Sequence, residues 1–319
     1  MERILEVKHL TKTFQKGKQS FTAVDDVNFH VDKGECVGLV GESGCGKSTI
    51  AKIVSRLTDA TGGQVFLDGT DVTRCKGKAR RDYYKKIQMV FQSVTDSFNP
   101  RLKIGSSIAD VLRNNGMSRS QAKQRTLELL DLVGLKREYA ERYPHQISGG
   151  ECQRASIARA LAVNPRLLLC DEATSALDVS VQAQIVGLIQ ELQEKIEMSY
   201  LFICHDLALV QNICNRVIVM HRGTIVEAGA TEEVIGNPCH PYTKLLLSSI
   251  FPVDPTTPWE LPKLQQQTEP EGTGCKFWER CPHCTERCKR ERPGYVTMNC
   301  CEKNTNLQHD VACFLYHKV

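Results

Sequence analysis

The 319-residue sequence has no run of about 18 consecutive apolar residues, which is the length that a transmembrane helix requires. Residues 1–7 also lack the apolar core that marks a secretory signal peptide. Both absences lead us to expect a protein that stays in the cytoplasm. If it acts at a membrane, we expect it to do so through partner proteins.

An excess of charge of one sign is missing as well. The chain carries 41 Lys and Arg residues against 37 Asp and Glu residues, which gives a net charge of +4. A nucleic-acid-binding domain usually presents a strongly basic face, so this balance gives no support to nucleic-acid binding. The hydrophobic fraction of 41% and the charged fraction of 24% are ordinary for a soluble globular protein.

Cysteine, by contrast, is abundant. The chain has 15 cysteines, and those from Cys275 to Cys313 are densely spaced near the C-terminus. Cytosolic thiols are kept reduced, so disulfide bonds are not expected. Cys36, Cys170 and Cys204 lie within or beside apolar runs, where a cysteine usually serves as a small core residue.

Short apolar runs alternate with helical patterns and predict an α/β fold. Buried parallel strands are expected at 37–40, 87–91, 167–170, 201–204 and 217–220. Each of the first four runs delivers a polar residue at its carboxyl end, where open α/β sheets bind ligands. Amphipathic helices are predicted at 120–133 and 181–192. Alternation of apolar and polar residues predicts an antiparallel β layer at 4–8, 27–31 and 64–69.

The composition divides the chain into two predicted parts. Residues 1–236 are expected to form one domain, with a helical insertion at about 93–165 between two core strands. Residues 237–319 are expected to form a small extension, with a proline-rich passage, a linker at 265–274 and a cysteine-rich tail. Because this tail has few apolar residues with which to form a core, we expect it to need a stabilising cross-link to fold.

A glycine-rich segment of the form GxxxxGK[ST] follows the first apolar run and predicts a phosphate-binding loop. Backbone N–H groups at Gly44 and Gly46 can point at phosphate oxygens because no side chain blocks the approach. Lys47 would supply a positive charge to the β- and γ-phosphates, and Ser48 a hydroxyl to Mg²⁺. The residues expected to bind nucleotide are Gly41, Ser43, Gly44, Cys45, Gly46, Lys47, Ser48 and Thr49. The alternative is a glycine-rich loop without a ligand.

Two adjacent acids follow the apolar run 167–170 and complete the predicted chemistry. Asp171 would hold Mg²⁺, and Glu172 would act as the general base for an attacking water. Adjacent acids suit these roles because the metal and the base must lie on opposite sides of one γ-phosphate. The alternative is that both acids are merely solvated at the end of a strand.

A second glycine-centred turn, Ser148-Gly149-Gly150-Glu151, opens a helix. Together with the phosphate loop and the paired acids, it resembles the ATP-binding cassette ATPases. The resemblance implies a P-loop NTPase core of mainly parallel sheet, an antiparallel β layer and a helical subdomain. In that family two copies of the domain close on two ATP molecules. Ser148, Gly149 and Gly150 would then contact the γ-phosphate held by the partner, so that one chain cannot complete a site.

The same resemblance implies roles for four further positions. Gln92 is similar to the family's Q-loop glutamine, which senses Mg²⁺ and the transport partner. His205 is similar to the switch histidine that contacts the γ-phosphate. Asp178 ends the segment 175–178, which resembles the loop that crosses the dimer interface. Phe14 lies where the family stacks an aromatic ring on adenine, although a phenylalanine in a β layer is more often a core residue.

The glycine-centred turn departs from the family's commonest form at two positions. Ile147 replaces a leucine, which is a conservative change. Glu151 replaces a glutamine, and it adds a negative charge close to where an anionic ligand is expected. This charge would weaken that half of the site unless the side chain points away from it.

The C-terminal part narrows the resemblance to importers of oligopeptides and dipeptides. Segments 237–246 and 274–283 resemble segments of that group, and 99–101 also fits. In that group the extension can hold an iron–sulfur cluster, and the matching residues here are Cys275, Cys281, Cys288 and Cys313. Four thiolates suit a [4Fe–4S] cluster. A structural zinc ion and reduced, unligated thiols are the alternatives.

The resemblance therefore implies an ATP-hydrolysing subunit of a prokaryotic peptide importer, peripheral at the cytoplasmic face of the membrane. Its expected partners are a second cassette ATPase in a homodimer or heterodimer, two membrane-spanning permeases and, indirectly, an external solute-binding protein. An importer of nickel or of another small solute is one alternative. Others are an exporter, a non-transport cassette ATPase and a degenerate nucleotide-binding partner. Intact Glu172 and His205 argue against the degenerate form.

Overall fold

The computed structural model of the chain describes residues 2–17, 19–92, 97–173, 178–248, 274–298 and 308–317. Within these residues the strands form one antiparallel sheet of four strands and one mixed sheet of eight strands. In chain order the strands are β1 (Arg3–Lys16), β2 (Gln19–Asp32), β3 (Cys36–Val40), β4 (Gly62–Leu67), β5 (Thr70–Asp71), β6 (Ile87–Val90), β7 (Leu167–Asp171), β8 (Ser199–Cys204), β9 (Arg216–His221), β10 (Thr224–Ala230), β11 (Val296–Met298) and β12 (His309–Val311). The α/β fold expected from the sequence is confirmed.

The helices occupy the stretches between these strands. They are α1 (Lys47–Val54), α2 (Gly77–Lys86), α3 (Ile104–Asn114), α4 (Arg119–Leu132), α5 (Gly149–Leu161), α6 (Val179–Ile196), α7 (Leu207–Ile213), α8 (Thr231–Gly236), α9 (Pro241–Ser248) and α10 (Glu286–Arg290). The helices predicted at 120–133 and 181–192 correspond to α4 and α6. None of the helices in the described ranges combines the length and the apolarity that a membrane span needs.

The larger sheet has the strand order β11-β12-β10-β9-β3-β8-β7-β6. Strands β9, β3, β8, β7 and β6 run parallel to one another, as the apolar runs predict. Every residue of β3, β7 and β8 is buried, because both faces of this sheet are covered, one mainly by helices and the other by α1 and the smaller sheet. The carboxyl ends of these strands therefore meet at one edge of the sheet, where the candidate site lies.

The smaller sheet has the order β2-β1-β4-β5 and is antiparallel throughout. In β2 the buried residues Val27, Phe29 and Val31 alternate with more exposed ones, as the two-residue period of a strand requires. This buried face packs against α1 and one face of the larger sheet, in a cluster that includes Ile50 and Leu39. The predicted antiparallel layer is thus present, and it braces the helix that follows the phosphate loop.

Helices α3, α4 and α5 pack together on the other core cluster of the molecule. Ile108, Leu129 and Ile157, one from each helix, share this cluster with Val90 and Leu168 of the larger sheet. The three helices lie inside the stretch 93–165 that the sequence indicates as a helical insertion. The boundaries of that insertion, and the division of the chain at residue 236, remain predictions.

The C-terminal part joins the larger sheet instead of standing apart. Strand β12 pairs antiparallel with β10, with Glu227 opposite Val311, and β11 pairs with β12. The sequence analysis did not predict these strands, because three-residue strands are too short to show an alternating pattern. Backbone pairing to β10 therefore holds this part of the chain, and the linker expected at 265–274 lies almost entirely outside the described residues.

Candidate nucleotide-binding site

The phosphate loop connects the carboxyl end of β3 to the start of α1 and requires glycine at two positions. Gly41 has φ 155° and Gly46 has φ 111°, in the region that side chains disfavour. A Cβ atom at Gly41 would lie 2.1 Å from the Met220 carbonyl oxygen, and one at Gly46 would lie 2.3 Å from that of Ala23. The loop is thus pressed between two backbone segments behind it, while Ser43 and Gly44 are exposed on its open side.

Lys47 is the cation of this loop, and its side chain is buried at 3% exposure. The ammonium group donates hydrogen bonds to the carbonyl oxygens of Gly41, at 2.7 Å, and Glu42, at 3.0 Å. Burial raises the pKa of the neighbouring Cys45 thiol, which keeps that thiol neutral beside the lysine. The ammonium group is therefore hydrogen-bonded to neutral acceptors of the loop. A phosphate oxygen can replace these acceptors and would form a stronger, charge-assisted hydrogen bond.

Ser48 and Asp171 form the candidate Mg²⁺ site. The Ser48 hydroxyl donates to Asp171 Oδ1 at 2.9 Å across the space between α1 and the end of β7. Burial raises the pKa of Asp171, with the Ser48 hydrogen bond acting in the opposite direction. An oxygen pair with a poorly solvated carboxylate fits a hard dication such as Mg²⁺, which prefers oxygen ligands and would stabilise the ionised form. Thr49, the next residue, is half-buried in α1.

Glu172 and Gln92 are brought together from sequence positions 80 residues apart. The Gln92 Nε2 atom donates to Glu172 Oε2 at 2.7 Å. Glu172 has φ 48°, a left-handed conformation that costs free energy for a residue with a side chain and is concentrated at functional sites. Its backbone N–H donates to the Ile203 carbonyl at 2.9 Å, which fixes the turn at the end of β7. The structure thus orients this carboxylate at the edge that also carries Asp171.

His205 follows the end of β8 and is exposed. Strand β8 lies next to β7, with Ile203 paired opposite Asp171, so the histidine lies just beyond the two acids along the same edge. Asp206 then caps α7 by accepting from the Ala208 and Leu209 N–H groups, at 2.8 and 3.3 Å. This cap fixes the backbone immediately after His205, and the histidine itself is exposed.

Phe14 lies on β1 opposite Phe21, and both rings are exposed, at 44% and 53%. The Lys12 ammonium lies 4.9 Å from the centroid of the Phe14 ring. These facts favour the stacking role over the alternative of a core residue, because an exposed aromatic face is what an adenine ring could cover.

The Glu151 carboxylate is hydrogen-bonded within its own chain, to Ser148 and Tyr139. It accepts from the Ser148 N–H at 2.8 Å and from the Ser148 hydroxyl at 2.9 Å, which closes a capping box at the start of α5. The Tyr139 hydroxyl donates to the other oxygen and, with Ser148, lowers the pKa of Glu151. The departure from glutamine therefore serves the helix start, while Ser148 and Gly149 themselves are exposed.

Helix α6 lies next to the start of α5, and this contact accounts for Gly150 and Asp178. A Cβ atom at Gly150 would lie 2.4 Å from Val181 Cγ1, so this glycine lets α5 approach α6 closely. Asp178 caps α6 by accepting from the Val181 N–H at 3.0 Å. Residues 174–177, including most of the segment proposed to cross a dimer interface, lie outside the described residues.

Sequence reasoning missed the contacts of Glu42, a loop residue outside the chosen motif positions. Its backbone N–H donates to the Tyr242 hydroxyl at 2.9 Å, and its carboxylate receives Arg280 Nη1 at 3.0 Å on both oxygens. Tyr242 and Arg280 both fall within segments that the sequence marks as characteristic. Because Tyr242 and Arg280 lie 200 and 238 residues from Glu42 along the chain, no local sequence pattern predicts these contacts.

The four cysteines expected to bind a cluster line one cavity of about 200 Å³, together with Phe277 and Phe314. Among the residues that the structure describes, one group of three metal-binding side chains has its ligand atoms all within 4.8 Å, namely Glu227, Cys239 and His309. It includes none of the four expected cysteines. Burial raises the pKa of Cys275 to about 11.

Comparison with known proteins gives matches along most of the chain. A family model described as ABC transporter matches residues 24–175, and one described as the C-terminal region of oligopeptide/dipeptide transporters matches 226–288. The oligopeptide transport ATP-binding protein OppF of Bacillus subtilis is 43% identical over 93% of this chain and 96% of its own length. OppF of Escherichia coli is 43% identical over 90% of this chain and 88% of its own length.

These findings correct the expectation of an iron–sulfur cluster, which is wrong. The relatives that match nearly the whole chain are named as ATP-binding proteins and nothing in their names indicates a cluster. The compact group of ligand atoms in the described ranges lies at Glu227 rather than at the cysteines. Among Cys275, Cys281, Cys288 and Cys313, no three sulfur atoms lie within 4.8 Å of one another.

Solved structures agree with the fold described above. The ATP-binding cassette MJ0796, solved as a dimer bound to ADP and Pi, has a TM-score of 0.64 and 31% identity, covering 69% of this chain and 96% of its own. The phosphate loop, the paired acids and the capped glycine turn lie on the same fold here. This chain therefore belongs to the ATP-binding cassette family of transport ATPases, in the branch that carries the oligopeptide/dipeptide transporter C-terminal region.

Proposed function

We propose that this chain hydrolyses ATP at the phosphate loop to drive the import of peptides. The observation that carries the proposal is the placement of two pairs at one sheet edge beside Lys47: Ser48 with Asp171, and Gln92 with Glu172. These pairs supply the metal ligands and the base that hydrolysis requires. The match of the C-terminal region to oligopeptide/dipeptide transporters supports the choice of cargo.

Binding of ATP would begin with an exchange of partners at Lys47. The ammonium group now donates to the Gly41 and Glu42 carbonyls, and phosphate oxygens offer stronger, charge-assisted hydrogen bonds. The backbone N–H groups of the loop and the N-terminus of α1 would add to the attraction for the phosphates. Phe14 would stack on the adenine ring and place the nucleotide along β1.

Ser48, Asp171 and Gln92 would hold the Mg²⁺ ion of the nucleotide. When bound, this ion neutralises charge on the phosphate oxygens. The residues themselves provide the hydroxyl, carboxylate and amide oxygens that such an ion prefers. Because Asp171 is buried and difficult to ionise, ion binding and ionisation of this side chain would favour each other.

Glu172 would act as the general base in the hydrolysis step. A water oxygen forms a bond to the γ-phosphorus, the bond from that phosphorus to the β,γ-bridging oxygen breaks, and ADP leaves with the electron pair. The proton of the water passes to the Glu172 carboxylate. Gln92 holds one carboxylate oxygen and thereby aims the other, while His205 would contact the γ-phosphate from the end of β8.

Completion of the site requires a second cassette subunit. The N-terminus of α5, with exposed Ser148 and Gly149, would contact the γ-phosphate held by the partner, where the helix dipole favours a negative charge. ATP would therefore bind the closed dimer more tightly than the open one and shift the population towards closure. Two permease subunits would convert that closure into transport, with this chain peripheral at the cytoplasmic face and an external binding protein supplying the peptide.

The test is uptake by cells in which the gene has been deleted and then restored. Restoring the wild-type chain should recover uptake of labelled Ala-Ala-Ala, whereas Glu172→Gln, expressed at the same level, should not. Uptake of labelled nickel should be the same in all strains. Loss of nickel uptake with intact peptide uptake would contradict the proposal and favour a nickel importer.

A further inference from the structure

The phosphate loop is contacted from behind by the C-terminal part of the chain. The Tyr242 hydroxyl in α9 accepts a hydrogen bond from the Glu42 N–H at 2.9 Å. Tyr242 is fully buried, and burial raises the pKa of its hydroxyl, so this group stays neutral. The bond fixes the direction of one peptide unit immediately after Gly41, at the start of the loop.

A second contact neutralises the side chain of the same loop residue. Arg280 Nη1 lies 3.0 Å from each carboxylate oxygen of Glu42. The arginine side chain is only 17% exposed, while that of Glu42 is 39% exposed. The pair is thus partly withdrawn from water, where an ionic contact is screened less than at the surface. Without the arginine, the Glu42 carboxylate would present an uncompensated negative charge beside the binding place of a triphosphate.

Phe277 joins the two contacts into one unit. This ring is 2% exposed and meets the Tyr242 ring at a centroid distance of 5.4 Å, in an edge arrangement that aromatic rings favour. The Arg280 guanidinium lies 5.7 Å from the centroid of the same ring. Movement of Phe277 would therefore displace both groups that contact Glu42.

Further contacts secure the strand turn on which the loop rests. Phe277 also packs edge-on against His221, at 5.3 Å between centroids, and Glu279 pairs with Arg222 at 3.4 Å. In the same turn, the Gly223 N–H donates to the Cys45 carbonyl at 2.8 Å. The C-terminal part thus contacts the loop directly and also holds the turn that supports it.

We propose that Tyr242 and Arg280 are positioning residues for the phosphate loop, through which the C-terminal part of the chain sets the affinity of this subunit for ATP. The proposal rests on the assignment of this loop as the ATP site. Tyr242 orients the Glu42 peptide, and Arg280 cancels the Glu42 charge that would otherwise repel the nucleotide. The two residues act through Glu42 and do not contact the phosphates in this account.

The test compares Mg·ATP affinity and hydrolysis for the wild-type chain and six variants. Arg280→Gln should weaken binding roughly ten- to hundredfold, the range expected on losing a charge-assisted hydrogen bond. It should raise KM while leaving kcat nearly unchanged, because the chemical groups are untouched. Arg280→Lys should restore part of the affinity. Tyr242→Phe, which keeps the ring and removes only the hydroxyl, should also weaken binding.

A second substitution separates the electrostatic role from a loss of folding. Glu42→Gln introduced into Arg280→Gln should recover affinity, since it removes the charge that the arginine neutralised. Arg287→Gln, which breaks an exposed pair with Glu291 in the same part of the chain, is the matched control and should bind as the wild type does. Thermal unfolding of each variant shows whether the comparison is made on folded protein, and Glu42→Gln alone tests the contact without altering the C-terminal part.

Wild-type affinity in both Arg280→Gln and Tyr242→Phe would overturn the inference. So would weak binding in Arg280→Gln that Glu42→Gln fails to recover, because the effect would then be structural. If the wild-type chain itself neither binds nor hydrolyses ATP, the proposed function fails instead. The two failures are therefore distinguishable within one set of measurements.

Discussion

The phosphate site and the C-terminal part contact each other, yet they are constructed in different ways. The site takes its groups from strand ends whose order and register are set by fully buried strands such as β3 and β7. The C-terminal part has three-residue strands and helices of five and eight residues in its described ranges, and it depends on a few long-range polar contacts. The comparison shows that a regular sheet can place a site accurately, whereas a small appended region needs specific side chains to be held.

Glu227 provides the main such contact and explains the compact group of ligand atoms found there. The carboxylate is fully buried and accepts from the Cys239 N–H at 2.7 Å, the His240 N–H at 2.9 Å and His309 Nε2 at 2.7 Å. These three donors come from the segment before α9 and from β12. Since both oxygens are already satisfied by hydrogen bonds, the group acts as a staple between strand β10 and the C-terminal part.

The largest effect is expected on the phosphate side. Lys47→Ala should weaken Mg·ATP binding by about a hundredfold, since a buried cation that can bond to phosphate oxygens is removed. Its removal should leave the C-terminal part in place, because the Lys47 ammonium donates to backbone carbonyls of the phosphate loop itself. Equilibrium titration with a fluorescent ATP analogue measures the change. Lys123→Ala, an exposed lysine in α4, is the control, and equal losses in both variants would contradict a specific role.

The second-largest effect is expected where Glu227 attaches the C-terminal part to strand β10. Glu227→Ala should lower the free energy of unfolding by about 2–5 kcal/mol, because three buried donors lose their acceptor. Urea titration monitored by circular dichroism measures this loss. Glu291→Ala removes an exposed acid from the same region and should change stability by less than about 0.5 kcal/mol. A loss below 1 kcal/mol for Glu227→Ala would show that the staple is not needed.

Acid should loosen the junction between the two regions. Burial lowers the pKa of His221 to about 3 and that of His240 to about 4, below the unfolded value near 6.5. The unfolded chain therefore binds more protons between these limits, so stability is lost as the pH falls from about 6.5 towards 3. Each histidine should contribute a slope of about 1.4 kcal/mol per pH unit within that window.

Urea unfolding at several pH values measures the slope, and His221→Gln should reduce it. The glutamine removes the titrating group while it retains a polar side chain in the same place. An unchanged acid slope in this variant would mean that other groups control acid unfolding. Carboxylates such as Glu151, whose pKa is lowered in the folded state, also lose stabilising free energy as the pH falls. Their contribution is the part of the slope that should remain in His221→Gln.

The smallest effect concerns the start of α5. Glu151→Gln keeps an acceptor for Ser148 but removes a negative charge from the helix N-terminus, which should cost less than about 1 kcal/mol of stability. It should also favour ATP-dependent dimerisation modestly, because less negative charge would face the partner's nucleotide. Sedimentation of the Glu172→Gln protein with and without the second change, in the presence of ATP, measures this. Weaker dimerisation would show that the capping geometry outweighs the charge.

On the phosphate side, the sequence carries its information locally. The spacing of Gly41 to Thr49 is contiguous, and the acids directly follow an apolar run, so both the motif and its strand could be read together. The pairing of Gln92 with Glu172 could be anticipated only from resemblance, since it depends on the neighbouring positions of β6 and β7. The capping box of Ser148 and Glu151 follows an S-x-x-E spacing that is visible in the sequence, whereas Tyr139, the second partner of Glu151, lies outside that pattern.

On the C-terminal side, the resemblance to peptide importers is confirmed, whereas the cluster that it implied is wrong. The sequence does not reveal that the thiols line a cavity with aromatic walls. The true connections run from Glu227 to His309 and from Glu42 to Arg280, across 82 and 238 residues. No local pattern carries such contacts, so only the structure could disclose them.

The most direct test of the account is phosphate release from ATP by the full-length chain, assayed with Mg²⁺ for the wild type and for Glu172→Gln. The account predicts Mg²⁺-dependent release by the wild type and a loss of about a hundredfold or more in kcat for the variant, the contribution expected of a general base. ATP affinity should be retained, since Lys47 and Ser48 are unchanged. Hydrolysis at the wild-type rate by Glu172→Gln would contradict the assignment of this edge of the sheet as the catalytic site.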